Sequence, residues 1–595
     1  MEKKWIVKPL QQTTEIDALA QQLTIEKPLA ALLLNRGITT AEEAKDFFEP
    51  DITKLHDPFL MLDMDKAVER ISHAIIHNEK ILVYGDYDVD GTTAVALLYS
   101  FLKEIIGQDY RQTLEYYIPD RYDEGYGISI KGIEYCKEKG VNLLISLDCG
   151  IKGNAPIDLA NQYGVDVIVC DHHLEGESLP KAVAVLDPKR KGCPYPFKEL
   201  SGCGVGLKLI HAYCIRYGLP DDLWLSQLDL VAISIASDIV DITGENRIIT
   251  HFGLEIINTF PRMGLRSIIE QSGYKVQTPP KPNTIYDREL TVTDIVFYIG
   301  PRINAAGRMT TGRSSVHLFI CEDEDRSSEI GKNINAQNDN RKDQDREATL
   351  EAVSNVGRAL IAKNRKSLVV YNPAWSKGII GIVASRLVEE FYRPTVVLTK
   401  ATDGLLTGSA RSVKEFNIYE AIDSCSHLLE HFGGHNYAAG LSLKEENLQA
   451  FVNYLENYTI KHTGTENFSP EIEIDMELDL KDITKNFVAQ LKKFAPFGPG
   501  NMTPVFISKN VVEEGFAKIV GEKHLKIKVL YRDRAVKPIE AIAFNKKQYF
   551  QYIKAKNDFH IVYHIEENTW NNNTNIQLNV IDIKTEKFNS LGGEK

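Results

Sequence analysis

The sequence predicts an α/β multidomain protein: two α/β domains joined by a long helix, and a small C-terminal β-barrel. Three observations predict this class. The 595 residues are too many for one hydrophobic core and suggest three or four domains. Short apolar runs alternate with helical patterns over residues 75–240, which is typical of a parallel sheet. Short strands with turn signals fill residues 470–585, which favours a small barrel.

The first domain contains five predicted strands, each a short run of apolar or β-branched residues. Such runs are buried on both faces, as in a parallel sheet that is covered by helices. Residues 1–50 precede this domain and are predicted to form a small helical lead-in. The five strands lie at residues 81–86, 114–120, 142–148, 165–171 and 182–188.

Residues 322–363 are polar at first and then helix-like, which predicts a long connecting helix. A second α/β unit begins at SLVVYNP (367–373) and ends near residue 460. In the C-terminal region, residues 481–556 contain 16 Lys and Arg against 6 Asp and Glu, interleaved with aromatic residues. This composition suits a groove that holds phosphates and stacks bases. A small β-domain with core aromatics and a solvated lysine face explains it equally well.

Composition excludes several classes of protein. No run approaches 18 consecutive apolar residues, so no membrane span is predicted, and the N-terminus lacks the apolar core of a secretory signal. The eight cysteines form no CxxC pair and are interpreted as small buried thiols in a reducing cytoplasm. The net charge of −13 argues against nonspecific nucleic-acid binding by the whole surface.

Acidic and imidazole side chains follow the predicted strands. The carboxyl ends of parallel strands share one edge of a sheet, where ligands bind. Carboxylates with imidazoles are ligands for Mg²⁺ or Mn²⁺, and two such ions can promote phosphoryl hydrolysis. Ion pairs with Lys or Arg are the alternative, but the nearby sequence is poor in both. The side chains concerned are Asp86, Asp88, Asp90, Asp148, Asp171, His172, His173 and Asp238.

The surrounding motifs resemble a known superfamily. YGDYDVDG, SLDCG, VCDHH and SIASDIVD resemble the four metal motifs of the DHH phosphoesterases. Seven further stretches resemble the RecJ family within it, the bacterial single-strand-specific DNA exonucleases that work from the 5′ end. The resemblance covers roughly residues 20–585 in the family's motif order. The seven stretches are IPDRYDEGYG, LSGCGVGLKL, GPRINAAGRM, WSKGIIGIVASRL, GSARS, HFGGHNYAAGL and FGPGN.

The resemblance implies a domain plan and a cofactor. The cofactor is Mn²⁺ or Mg²⁺, with two ions expected. The implied plan is an N-terminal lead-in (1–50), a DHH catalytic domain (51–321), the connecting helix (322–363), a DHHA1 domain (364–462), an oligonucleotide-binding (OB) fold (463–587) and a tail (588–595).

The resemblance also implies roles for individual residues. The implied metal ligands are Asp86, Asp88, Asp90, Asp148, His172 and Asp238, and these six together with His173, which contacts the scissile phosphate, are the implied catalytic residues. The implied substrate-binding residues are Arg121, Ser409 and Arg411 at the terminal 5′-phosphate, Gly433, Gly434 and His435 in the GGH signature, and Arg302, Asn304 and Arg308 along the backbone. Each lone arginine has an alternative role in a surface or interdomain ion pair. Ser376 departs from the family, where a histidine is expected after the tryptophan.

The implied activity is metal-dependent 5′→3′ digestion of single-stranded DNA to 5′-mononucleotides, in DNA recombination and repair in the bacterial cytoplasm. Implied partners are single-stranded DNA, a RecQ-type helicase and a single-strand-binding protein, with no membrane. One rival is a phosphodiesterase for short oligonucleotides or cyclic dinucleotides, since such relatives share the metal motifs but lack the basic β-domain. Another is a non-catalytic binding module, which the complete set of motif acids disfavours.

Overall fold

The computed structural model describes residues 3–9, 11–363, 365–463, 468–532, 537–570 and 573–585. The predicted tail at 588–595 lies outside these residues. The chain divides into two compact units. The first unit comprises His56–Val240 and Ile249–Pro470, and the second comprises Lys3–Leu55, Asp241–Ile248 and the chain from Glu471 onward.

The N-terminal segment contains a strand as well as the predicted helices, and it belongs to the second unit. Its strand pairs in parallel with residues 471–474, and its helices share a hydrophobic core with the C-terminal domain. The Thr40 side chain and Glu43 form a reciprocal capping box that fixes the start of the third helix. The elements are β1 (Lys4–Val7), α1 (Thr13–Leu23), α2 (Lys27–Leu34) and α3 (Ala41–Phe48).

The first unit begins with the predicted parallel sheet, which the structure confirms. Five strands lie in the order β3-β2-β4-β5-β6, and every neighbouring pair is parallel. Strands β2 and β4 are buried along their whole length, which explains their uninterrupted apolar sequences. The elements up to the last strand of this sheet are α4 (Met64–Ile76), β2 (Ile81–Gly85), α5 (Val89–Ile106), α6 (Tyr110–Thr113), β3 (Leu114–Tyr117), α7 (Ile130–Lys139), β4 (Leu143–Leu147), α8 (Asn154–Gln162), β5 (Asp166–Cys170) and β6 (Ala184–Leu186).

A largely helical region follows the sheet and leads into the long helix α17, which spans 40 residues as the sequence predicts. Helix α5 packs against α9, α11 and α16 and so ties this region to the sheet. The elements are α9 (Gly202–Tyr217), α10 (Asp222–Leu225), α11 (Leu228–Asp238), α12 (Gly244–Thr259), α13 (Met263–Gln271), β7 (Val276–Lys281), β8 (Thr284–Tyr286), α14 (Val292–Asp294), α15 (Gly300–Met309), α16 (Arg313–Phe319) and α17 (Glu324–Lys363).

The second α/β region is built on a mixed five-stranded sheet in the order β12-β13-β11-β10-β9. Strands β9 and β10 are parallel, and the other pairs are antiparallel. The elements are β9 (Leu368–Tyr371), α18 (Ile380–Phe391), β10 (Thr395–Lys400), β11 (Leu406–Arg411), α19 (Ile418–Asp423), β12 (His431–His435), β13 (Ala438–Leu443) and α20 (Leu448–Thr463).

The C-terminal region closes five strands into a ring, in the order β16-β20-β21-β19-β18 and back to β16. Two short strands extend the sheet beyond the ring. Among the described helices, none has both the length and the apolar content needed to cross a bilayer. The elements are β14 (Glu471–Ile474), β15 (Met476–Glu477), α21 (Lys485–Lys492), β16 (Phe506–Glu513), β17 (Lys518–Val520), β18 (His524–Tyr531), β19 (Ile539–Ala543), α22 (Phe550–Lys554), β20 (Phe559–Trp570) and β21 (Asn573–Lys584).

Candidate metal centre and phosphate-binding groups

The structure brings the motif acids together at the carboxyl edge of the parallel sheet. The first-motif aspartates directly follow β2, Asp148 follows β4, and His172 and His173 follow β5. Asp238 reaches the same place from the end of helix α11. Because β2, β4 and β5 are adjacent parallel strands, their carboxyl ends lie side by side.

The imidazole of His172 is the centre of this cluster. Its Nε2 atom lies 3.2 Å from Oδ1 of Asp148, 3.6 Å from Oδ2 of Asp238 and 3.7 Å from Oδ2 of Asp90. Among the described residues, potential ligand atoms come within 4.8 Å of one another in two overlapping groups. These groups are Asp90, His172 and Asp238, and Asp148, His172 and His173.

Burial and mutual repulsion raise the pKa values of Asp86, Asp148 and Asp238. The pKa of Asp148 lies well above its usual value because the group is desolvated and faces the charges of Asp90 and Asp88. Burial and the charge of Asp90 also raise the pKa of Asp238 well above its usual value. The pKa of Asp86 is raised by burial and by Asp88. The protein cations nearby therefore do not balance this concentration of negative charge.

Unpartnered buried atoms show that the site fits a divalent cation. Within the described part of the chain, both ring nitrogens of His172 and Oδ2 of Asp86 are buried and have no hydrogen-bond partner. Burial also lowers the pKa of His172, which favours the neutral imidazole that binds metals. Carboxylate oxygens with one or two imidazole nitrogens form the donor set of Mn²⁺ or Mg²⁺ sites.

Asp90 is fixed by the start of helix α9. Its carboxylate accepts hydrogen bonds from the backbone N–H groups of Gly202 and Cys203 and from Oγ of Ser234, each at 2.7 Å. The helix N-terminus favours the negative charge of this group. Gly202 is required for the close packing here, because an added Cβ would lie 2.6 Å from Cβ of Asp148.

Asp88 and Asp148 occupy special backbone positions. Asp88 caps helix α5, with its carboxylate accepting the N–H of Gly91 at 3.0 Å. Asp148 adopts a left-handed conformation with φ of +59°, which is uncommon for a residue other than glycine. Its N–H donates to the carbonyl of Cys170, so strand β5 holds Asp148 at the edge of the sheet.

Asp171 organises the loop that carries the two histidines. Oδ1 accepts the N–H groups of His172 and His173 and faces Nδ1 of His173 at 2.7 Å, while Oδ2 accepts the N–H of Ile151. Although burial alone would raise it, these contacts lower the pKa of Asp171 to about 2. The pKa of His173 would fall on burial, but the hydrogen bond to Asp171 raises it. Asp171 thus orients His173.

Arginines from both α/β regions of the first unit lie close together. The Arg121 guanidinium stacks over the Tyr87 ring at 4.6 Å, and Nη1 of Arg308 donates to the Gly378 carbonyl at 2.9 Å. Nη1 of Arg411 donates to Oγ of Ser409 at 3.0 Å. The pKa of Arg308 is lowered to about 10, chiefly by burial and then by the charges of Arg121, Arg341 and Arg411. This excess of positive charge suits a phosphate.

Arg302 and Asn304 lie on helix α15, and the guanidinium of Arg302 is engaged by the protein. It is buried and donates to Oδ1 of Asn335 and to the carbonyls of Tyr298 and Gln271. These bonds join α15 to helices α13 and α17. The observed contacts of Arg302 are therefore structural. Asn304 is half-buried.

The GGH signature occupies β12, an exposed strand at the edge of the sheet. Gly434 has φ of +151°, and a Cβ there would lie 2.4 Å from the carbonyl of Ala438, so only glycine fits. Gly433 has open space around it, and His435 is exposed. Ser376 stands where the family pattern predicts a histidine. Its hydroxyl accepts the N–H of Gly378 just before α18.

Three further residues lie at this site and are not among the predicted ones. Asp187 follows β6, the fifth strand, and is buried with Oδ2 unpartnered among the described residues; burial raises its pKa to about 7. Asp187 directly follows the apolar residues of a predicted strand, as Asp148 does, so the same pattern indicates both residues. Tyr87 lies inside the first motif, between two singled-out aspartates. Tyr126 contacts Asp148 and His173, and no local pattern indicates this.

Three family models match separate parts of the chain: the DHH family N-terminal domain at 80–235, the DHHA1 domain at 364–461 and the RecJ OB domain at 474–582. The single-stranded-DNA-specific exonuclease RecJ of Bacillus subtilis is 35% identical, over 96% of this chain and 70% of its own length. RecJ of Dickeya dadantii is 30% identical, over 92% of this chain and 94% of its own length.

The fold has a solved counterpart. The crystal structure of RecJ from Thermus thermophilus in complex with Mn²⁺ superposes with a TM-score of 0.82 at 24% identity, covering 98% of this chain and 80% of that one. The match extends over both α/β regions and the C-terminal ring of strands. It confirms the α/β multidomain class that the sequence predicts.

Proposed function

Because the chain belongs to the RecJ family of single-stranded-DNA-specific exonucleases, we propose that it digests single-stranded DNA from the 5′ end and releases 5′-mononucleotides. The observation that carries this proposal is the buried cluster around His172, together with the group of arginines in the same unit. A metal centre cleaves phosphodiesters, and a neighbouring phosphate pocket determines which end is cleaved. The expected biological setting is DNA recombination and repair.

The cofactor is Mn²⁺ or Mg²⁺. The ligands we propose are Asp90, Asp148, His172 and Asp238, with Asp86 and Asp88 completing a site for two ions. When bound, the ions supply an activated water and neutralise charge on the scissile phosphate. Asp171 holds His173 in a fixed orientation, and we propose that His173 contacts that phosphate. Catalysis by the protein itself is mainly positioning.

The terminal 5′-phosphate is assigned to Arg121, Ser409 and Arg411. Arg121 and Arg411 are near enough to each other that the charge of Arg121, after burial, lowers the pKa of Arg411. Gly381 leaves the space beside Arg411 open, since a Cβ there would lie 3.2 Å from Nη2 of Arg411. Arg302, Asn304, Arg308 and the GGH residues are proposed to contact the following backbone, and the bonds of Arg302 to neighbouring helices would hold helix α15 in place.

The C-terminal domain is proposed to bind single-stranded DNA. It carries a groove of about 780 Å³ whose lining includes Lys481, Lys485, Lys528 and Lys537. Lysines along a groove bind phosphates without reading sequence. We propose the domain limits given above, with DHH, DHHA1 and OB folds in that order.

Cleavage of one labelled strand tests the function. A single strand of several tens of nucleotides, labelled at either end, is incubated with the full chain and Mn²⁺, Mg²⁺ or chelator. The 5′ label should appear at once as mononucleotide, while the 3′-labelled strand shortens gradually, and chelator should stop both. If the strand stays intact while dinucleotides are cleaved, the protein is instead a short-oligonucleotide phosphodiesterase.

Salt dependence tests the groove. Binding to a single strand should weaken steeply with salt, and the slope of log K against log [salt] should fall by about 0.7 for each phosphate that the protein no longer neutralises. Lys485→Gln and Lys537→Gln should each reduce the slope by that amount in a fluorescence-anisotropy titration. The control is Lys400→Gln, an exposed cation outside the groove that pairs with Glu445. Unchanged slopes in both groove variants would show that the single strand does not bind in this groove.

Single-stranded DNA is the substrate partner. A RecQ-type helicase and a single-strand-binding protein remain proposed protein partners, since a single-strand exonuclease needs unwound DNA. We place the protein in the bacterial cytoplasm because its substrate is there. All eight cysteines are free thiols, which suits a reducing compartment.

A further inference from the structure

Tyr126 joins two metal motifs through its hydroxyl group. The hydroxyl donates to the backbone carbonyl of Asp148 at 2.9 Å and lies 3.2 Å from Nε2 of His173. The Tyr126 and His173 rings meet edge to face, with centroids 5.7 Å apart. Since Nδ1 of His173 faces Asp171, the imidazole is held between a carboxylate on one side and a phenol on the other.

The backbone of Asp148 depends on this contact. Asp148 has a left-handed conformation that needs support from its surroundings. Strand β5 accepts its N–H, and the Tyr126 hydroxyl donates to its carbonyl. Both polar backbone groups of Asp148 are therefore fixed, one by the sheet and the other by a side chain.

The loop that carries Tyr126 is held by several hydrogen bonds. Glu124 accepts the N–H of Asp120 at 2.8 Å and the hydroxyls of Tyr117 and Ser129. The Gly127 carbonyl accepts the Tyr84 hydroxyl at 2.9 Å. This loop also carries Arg121, so one hydrogen-bonded segment supplies both an arginine for the terminal phosphate and a contact to His173.

The Tyr126 ring is nonetheless open to solvent. The residue is 54% exposed although its hydroxyl is hydrogen-bonded within the site. An exonuclease that releases mononucleotides must hold one nucleoside between the terminal phosphate and the scissile phosphate. The exposed ring lies on the loop that links the groups assigned to these two phosphates. Aromatic faces stack on any base, which suits an enzyme without sequence preference.

We infer that Tyr126 is a positioning residue with two separable roles: its hydroxyl fixes Asp148 and His173, and its ring stacks against the terminal nucleoside. This inference rests on the proposed function for its second role only. The first concerns the metal site, and it can be measured without substrate.

Two variants separate the roles. Tyr126→Phe keeps the ring and removes the hydroxyl, so Mn²⁺ affinity should fall about 10-fold, as is usual when a group that orients a ligand is removed. The KM for DNA should stay within about twofold of wild type because the ring can still stack. Mn²⁺ binding is followed by electron paramagnetic resonance on the full chain, with Tyr217→Phe, another exposed tyrosine, as the matched control.

Tyr126→Leu removes the ring and preserves an apolar side chain. Its KM should rise roughly 10-fold on an ordinary strand, but not on a strand whose 5′-terminal nucleotide is abasic, because that strand has no base to stack. Thermal melting confirms that each variant is folded, and Tyr126→His, which restores a flat ring, should recover part of the KM.

The outcomes are distinct. Wild-type Mn²⁺ affinity in Tyr126→Phe would overturn the role of the hydroxyl, and equal increases in KM on ordinary and abasic strands would overturn the role of the ring. If the wild-type protein degrades neither strand while Tyr126→Phe still binds Mn²⁺ more weakly, the proposed function fails and the role of the hydroxyl stands.

Discussion

Asp148→Asn is expected to lower the rate of strand cleavage by about 10³-fold or more, while binding of single-stranded DNA stays nearly unchanged. Asp148 Oδ1 is 3.2 Å from His172 and belongs to one of the two ligand groups. Losing its charge removes several kcal/mol of metal-dependent stabilisation. Asparagine is the cleaner replacement because it tolerates the left-handed backbone at φ of +59°, whereas alanine would add strain.

The measurement combines single-turnover cleavage of a 5′-labelled strand with fluorescence anisotropy in chelator. Asp158→Asn is the control, because Asp158 is a solvent-accessible carboxyl group on helix α8 of the same α/β region and pairs with Lys181 away from the strand ends. It should cleave within a few-fold of wild type. Full activity in Asp148→Asn would mean that the metal centre is assigned wrongly.

Arg411→Ala is expected to remove most of the preference for a 5′-phosphate over a 5′-hydroxyl end. The Arg411 guanidinium is held by Oγ of Ser409 and the Ala410 carbonyl, which aims it beside Gly381. A charge-assisted contact to a phosphate is worth about 1.5–3 kcal/mol, so the ratio of kcat/KM values should fall roughly 10- to 100-fold. Arg411→Lys should retain only part of the preference for a 5′-phosphate, because lysine cannot form the bidentate hydrogen bonds of a guanidinium.

The ratio is measured on two strands that differ only in the terminal phosphate. Lys400→Gln provides the control: Lys400 lies on the neighbouring strand of the same sheet, but its ammonium pairs with Glu445 at the surface. It should leave the ratio unchanged. Equal losses on both strands in Arg411→Ala would indicate a general scaffold role for Arg411.

Much of the candidate metal centre was predictable because its signal is local. An acid directly after a buried strand is visible in the sequence, and parallel strands place such acids at one edge. Asp86, Asp148 and Asp171, which precedes His172, follow this rule, and Asp187 follows it too. The RecJ motifs likewise lie in short stretches of sequence.

Contacts between distant segments were not predictable in this way. Arg302 stands in a motif beside Arg308, yet its guanidinium turns to acceptors on neighbouring helices, while Arg308 reaches Gly378. Both arginines belong to the motif GPRINAAGRM, and nothing in the motif distinguishes their contacts. The direction of a long side chain depends on which carbonyls the packing leaves unpaired nearby.

The sequence by itself determined the parallel sheet, the order of the domains and the candidate metal-binding side chains, since each follows from periodicity, strand ends or motif order. Only the tertiary structure decided how those side chains are held. Asp90 is fixed by the N-terminus of α9, Asp148 by the hydroxyl of Tyr126, and strand β1 by pairing with β14. The physical reason is that hydrogen bonds between remote residues require the chain to be folded, and no periodicity along the sequence records them.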